Sequence, residues 1–250
     1  EDAERKETLL DLCRFSSNEN DEIMSLSSYL EKMPENQKEI YYISAETRSQ
    51  ALVSPHLEGF KSKNIPVLIM TDAIDQFWLP MIGSFKDKKF TSITQGQINL
   101  DDLDEKNKDK KSESKDQKEK QDKEYVDLIA QMKVVLGEQV KDIRLSSKLT
   151  DSPVCLVADD GDMDIAMEQL MAQRDTNYKG APRILEINGD HSLIKNMKSL
   201  LSKKENNDLV SDAGTLLFEQ ARLLEGKMPA DPAQFSKIMN QFLLKAIPTQ

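Results

Sequence analysis

The sequence predicts an α/β chain in two parts. A small three-layer α/β domain spans residues 1–103, a charged linker over 104–124 grades into helix, and an α+β domain over 125–250 ends in a helical hairpin. Three features point to this. Two near-continuous apolar runs, EIYYIS and IPVLIMTD, are separated by helical sequence, as in parallel strands joined by a right-handed crossover and covered on both faces. Residues 101–124, DDLDEKNKDKKSESKDQKEKQDKE, hold one apolar side chain, Leu103, and bury too little to offset the entropy of ordering. Residues 209–247 form two helical patterns whose apolar faces are wider than the ~100° stripe that docking on one core requires.

In chain order, Leu9, Leu10, Leu12 and Phe15 predict a helix from Ala3 to Phe15 packed by one side, which SSNENDEIMSL breaks. Leu26 to Met33 allows another turn or two before Pro34, and EIYYIS is the first strand. Ala45 to Val53 returns to helical residues, Ser54-Pro55 opens a helix through Leu57 and Phe60, and IPVLIMTD is the second strand. IDQFWLPMIGSF is an apolar helix interrupted by Pro80, and FTSIT is expected as the last strand, at the sheet edge.

Beyond the charged run, YVDLIAQMKVVLG predicts an amphipathic helix through Val126, Ile129, Met132, Val135 and Leu136, stopped by Gly137. VKDIRLS, PVCLVAD and RILEIN predict strands, with Asp190 capping a helix through Leu193, Ile194, Met197 and Leu200. The hairpin follows. Its first helix carries Leu209, Ala213, Leu216, Leu217, Ala221, Leu223 and Leu224. Its second opens at Asp231-Pro232, where the missing proline N–H costs nothing, and carries Phe235, Ile238, Met239, Phe242, Leu243, Ala246 and Ile247. Periodicity leaves two possibilities open: a hairpin buried in its own domain, or one that closes an intermolecular four-helix bundle with a second copy.

Composition narrows the function. A net charge of −10 gives no electrostatic reason to approach a phosphate backbone, so nucleic acid is not an expected partner. Cys13 and Cys155 have no cage or disulfide spacing, which fits a reducing, cytoplasmic compartment, and no apolar run reaches the length of a membrane span. The opening EDAERKETLL, without an initiator methionine or a helix cap, reads as a segment of a longer protein. There is no glycine-rich phosphate loop, no G-x-S-x-G elbow and no second histidine at ligand spacing from His56 or His191, so no catalytic residue, metal or cofactor is expected. The alternative is a ligand- or cofactor-binding enzyme domain with a scaffold domain. Its site would follow the strand ends at Ala45-Glu46 and Asp72.

Two segments are candidates for recognition. In DDGDMDIAMEQLMAQR, Met163, Met167, Leu170 and Met171 fall on one helical face and Asp162, Asp164 and Glu168 on the other. Such a stripe usually packs inward, but flexible, polarizable methionines also suit surfaces that accept many shapes. Phe77-Trp78 holds the only tryptophan, and an aromatic pair on a helix more often packs than recognises.

Several stretches resemble the heat-shock protein 90 chaperone family, and together they span nearly the whole chain. EIYYISAETRSQALVSPHLEGFKSKNIPVLIMTDAIDQFW is similar to the end of that family's middle domain, where a Y-Y-[IV]-[ST] strand, an S-P-H-[LF]-E helix start and a strand ending in D-x-I-D-[EQ] follow in this order. GEQVKDIRLSSKLTDSPVCLVADDGDM, RILEINGDHSLI and DPAQFSKIMNQFLLKA resemble its C-terminal dimerisation domain. The bacterial branch is the nearer likeness, because the chain stops at AIPTQ without the acidic Met-Glu-Glu-Val-Asp ending of eukaryotic cytosolic members. The resemblance implies a homodimer interface at Leu216, Leu217, Leu223, Leu224, Phe235, Met239, Phe242 and Leu243. It implies client-protein contacts at Met163, Met167, Leu170 and Met171 and at Phe77, followed by Trp78. It also implies that ATP, Mg and the arginine reaching the γ-phosphate belong to domains upstream of Glu1, so that this segment does not hydrolyse ATP.

Overall fold

The fold is described by a computed structural model covering residues 5–103, 111–175, 178, 180–202 and 206–247. In chain order the elements are α1 (Lys6–Leu12), β1 (Ser16–Ser17), α2 (Leu26–Lys32), β2 (Glu39–Ser44), α3 (Arg48–Leu52), a 3-10 turn (Pro55–Leu57), α4 (Glu58–Ser62), β3 (Leu68–Met70), α5 (Asp75–Ile82), β4 (Ser84–Phe85) and β5 (Lys88–Ser92). There follow α6 (Lys111–Leu136), β6 (Val140–Leu145), β7 (Val154–Val157), α7 (Ile165–Arg174), β8 (Arg183–Ile187), α8 (Ser192–Leu200), α9 (Asn207–Leu224) and α10 (Pro232–Ala246). They gather into two compact units, Glu1–Lys111 with Val157–Ala181, and Ser112–Leu156 with Pro182–Gln250.

The first unit is built on a five-stranded sheet in the order β1-β3-β2-β5-β4. β2 pairs in parallel with β3 (Ile43 opposite Ile69) and with β5 (Ile40 opposite Phe90), while β1 and β4 pair antiparallel with β3 and β5. The uninterrupted apolar run of β2 follows from this central place. Ile40 and Tyr42 join a core with Tyr29, Leu68, Met70 and Phe90 on one face, and Tyr41 and Ile43 join Phe60, Val67 and Ile69 on the other.

Two predictions fail here for reasons of long-range pairing. β5 lies inside the sheet, and the edge belongs to β4. The hairpin between them turns on Lys86 and Asp87 at φ 45° and 63°, a left-handed pair that usually announces itself as Asn-Gly. The helix predicted to Phe15 stops at Leu12, because Phe15 N donates to Met24 O at 2.9 Å and Met24 N to Phe15 O at 2.8 Å, drawing the chain into β1. Ala3 lies outside the described residues.

The second unit carries a three-stranded sheet in the order β6-β8-β7, with β6 and β8 parallel (Ile143 opposite Leu185). The tail of the charged run is already helical, since α6 begins at Lys111. α6 turns Tyr125, Leu128, Met132 and Leu136 into the core, a face rotated from the predicted one, so that Val126 is exposed. Gly137 at φ 51° ends it. α8 is capped by His191 instead of Asp190: His191 is extended and its Nδ1 accepts from Leu193 N at 3.1 Å, while Asp190 pairs with Lys195. α10 starts as predicted, with Asp231 accepting from Gln234 N at 2.9 Å and proline in the first turn.

Candidate functional site

The aromatic pair on α5 divides between two tasks. Trp78 packs on Phe15 and Phe90, with ring centroids 6.1 and 5.8 Å away, and its Nε1 donates to Asp75 Oδ1 at 2.7 Å. It packs half-buried against the core with a satisfied polar end. Asp75 is 8% exposed, and burial pushes its carboxyl above the ordinary 3.8, against the Trp78 and Asp72 hydrogen bonds that favour the charge. Phe77, one position before Trp78, is half-buried. Ile74 and Met81, three residues before and four after it, are 64% and 85% exposed, so the outer face of α5 is an apolar row with Phe77 at its centre. Ile74 and Met81 are not among the residues that the sequence singles out, although their spacing from Phe77 is the signal that marks them.

The methionines of α7 are neither closed in the core nor fully open to solvent. Ile165 and Glu168 are the buried side chains, whereas Met167, Leu170 and Met171 are half-buried. Met163, 40% exposed, precedes the Asp164 cap and so does not lie on the helical face assigned to it. Glu168, expected on the polar side, is buried because its carboxylate accepts from Ala181 N at 3.1 Å. α7 and the α5 row, placed in different domains by sequence, belong to the same compact unit.

The hairpin keeps much of its apolar surface uncovered. Leu217 is 4% exposed and sits in the core of its own unit with Phe218 and Ala221, so it serves folding first. Leu216, Phe235 and Phe242 are half-buried. Leu223, Leu224, Met239 and Leu243 are 43%, 53%, 40% and 49% exposed, and Met228, Leu244 and Ile247 extend the same exposure to 71%, 75% and 68%.

Other polar clusters serve the fold. Glu186, 3% exposed, accepts from Arg144 Nε and Nη2 at 3.0 and 2.8 Å and from Ser146 Oγ at 2.8 Å, a buried ion pair that locks β6 to β8 in register. At the strand ends, Ala45 N donates to Met70 O, and Glu46 and Asp72 are exposed. Among the described residues no group of three or more His, Cys, Asp and Glu side chains is placed to hold a metal ion, and no helix is long and apolar enough to cross a membrane.

Comparison with known proteins covers the chain end to end. A family model described as "Hsp90 protein" matches residues 1–250. The chain is 39% identical over 249 residues to the "Chaperone protein HtpG" of Roseobacter denitrificans, covering 99% of this chain and 40% of that protein. It is 38% identical over 247 residues to its namesake in Paramagnetospirillum magneticum, covering 99% and 39%, and 36% identical over 250 residues to that of Wolbachia pipientis wMel, covering 97% and 38%. The chain thus spans about 40% of the length of these relatives.

Proposed function

Because this chain belongs to the Hsp90 family, we propose that it is the part of a chaperone that joins two copies through the α9–α10 hairpin and offers partly folded client proteins the faces of α5 and α7. The observation that carries this is α10. Of its 15 residues only Ile238 is buried, while Met239, Leu243 and Leu244, with Ile247 just beyond, present an exposed apolar face. An apolar face of this extent wants a cover. A second copy supplies an identical one, since an isologous contact is self-complementary and two hairpins close a four-helix bundle. Such an interface would bury the ~1,200–2,000 Å² of a stable complex.

The mechanism is mechanical. Two arms held at the bundle place two client patches at a separation that movement of the arms changes, and joint affinity changes with it. ATP binding and hydrolysis fall, on this proposal, to the share of the family's length outside this chain, in a bacterial cytoplasmic protein. A permanently unfolded test protein sedimented with the chain tests the proposal. Co-sedimentation at one test molecule per two chains is expected, and no co-sedimentation at concentrations well above those typical of weak apolar contacts would refute client binding.

A further inference from the structure

We propose that Asp164 is the positioning residue of α7, and that the seat it makes with Ser92 and Thr94 fixes the methionine-bearing helix before any partner arrives. The chain from Ser92 to Gly96 runs beside Ala158 to Asp164. Ala158 N donates to Thr94 O at 2.9 Å and Gly96 N to Ala158 O at 2.8 Å, a short parallel bridge. Gln95 Nε2 donates to Asp162 O at 2.7 Å. Gly96 stands at φ +69°, a left-handed backbone that favours glycine at this turn of the seam. At the end of the seam Asp164 Oδ2 accepts from Ser92 Oγ at 2.5 Å and from Thr94 Oγ1 at 2.8 Å, while Oδ1 accepts from Ala166 N at 2.9 Å. One carboxylate therefore closes the first turn of α7 and ties it to the end of β5.

An ordinary helix cap needs one oxygen; the second oxygen here is what ties the helix down. Ser92 and Thr94 are 5% and 7% exposed, and hydroxyl donors to an ionised acceptor in so sheltered a place make bonds about twice as strong as neutral ones. α7 has 10 residues, too few to hold a helix in water alone, and buries only Ile165 and Glu168. Its order therefore rests on the seat in addition to Ile165, Glu168 and the half-covered apolar side chains. A helix already ordered meets a partner without the cost of ordering, which is how Asp164 would act on binding through the methionines. The client role proposed above enters only in what α7 binds; the seat itself is independent of it.

Hydrogen exchange on the whole chain tests this, comparing wild type with Ser92→Ala/Thr94→Val. The amides of α7 should exchange about ten- to a hundredfold faster, the loss expected for one or two hydrogen bonds to a charged group, while those of β2, β3 and α9 keep their rates. Ser92→Thr/Thr94→Ser keeps both hydroxyls and should restore protection. Asp164→Ser keeps a cap for Ala166 N, withdraws the arm to β5, and should match the double variant even if buried substitutions disturb the sheet. Unchanged α7 exchange, or acceleration spread evenly over the unit, would overturn the proposal. Affinity for an unfolded test protein, measured alongside, should fall in step with α7 protection. Faster α7 exchange in a chain whose wild type binds no test protein would support the seat and count against the client role alone.

Discussion

Replacing Met163 and Met171 together by serine separates a recognition face from a core stripe. Met163 is 40% exposed and Met171 half-buried, so the protein covers roughly half of each side chain. Full burial of a methionine is worth about 1.5–3 kcal/mol, and losing about half of that twice gives a folding cost of about 2 kcal/mol. Two methionines in a closed core would cost about 2–5 kcal/mol each. The uncovered half is what a client could bury, about 1 kcal/mol per side chain. Loss of both should weaken one patch by about 2 kcal/mol, or roughly thirtyfold, and more where two patches engage one client. Urea denaturation gives the first quantity and fluorescence anisotropy with a labelled, permanently unfolded protein gives the second. A folding loss above about 4 kcal/mol with unchanged m, or an unchanged affinity, would refute the assignment of this surface to clients.

The remaining predictions concern the hairpin, α5 and pH. Leu224→Ser with Leu243→Ser removes side chains 53% and 49% exposed in one copy; at about 1 kcal/mol each, four per dimer, the dissociation constant should rise about a thousandfold by sedimentation. Leu217→Ala should instead lower folding stability by about 2–5 kcal/mol in denaturation, because that side chain fills its own core. Trp78→Ala should cost about 3 kcal/mol of stability, whereas Phe77→Ser should cost about 1 kcal/mol and weaken client binding. Asp75 has a native carboxyl raised above 3.8 by burial, so its contribution to stability is full below 3.8 and is lost as pH rises through the raised native value. Wild type should therefore gain stability relative to Asp75→Asn as the solution moves from neutrality toward about pH 4, and a pH-independent difference would remove burial as the cause.

What could be read from the sequence was what local pattern controls. β2 and β3 were legible because strands covered on both faces are apolar throughout, and α10 because Asp231-Pro232 fixes its first turn chemically. The width of the hairpin's apolar faces was legible too, but not which part its own core occupies, and so Leu217 and Leu224 looked alike. β1 and β4 were not legible: one depends on Ser16 meeting Ile69, the other on left-handed Lys86 and Asp87. The methionine segment was found by composition and its face misjudged. Burial of Glu168 depends on a backbone N–H beyond the helix, and the alliance of α7 with β5 on hydroxyls far off in the chain.

The most direct test of the proposed function is the mass of this chain in solution across a dilution series, by sedimentation. A dimer that persists to submicromolar concentration is expected, because the exposed leucines and methionines of α9 and α10 then have their cover and two client patches act together. A monomer at every concentration would contradict the hairpin as the joint between copies, and with it the mechanical role assigned here.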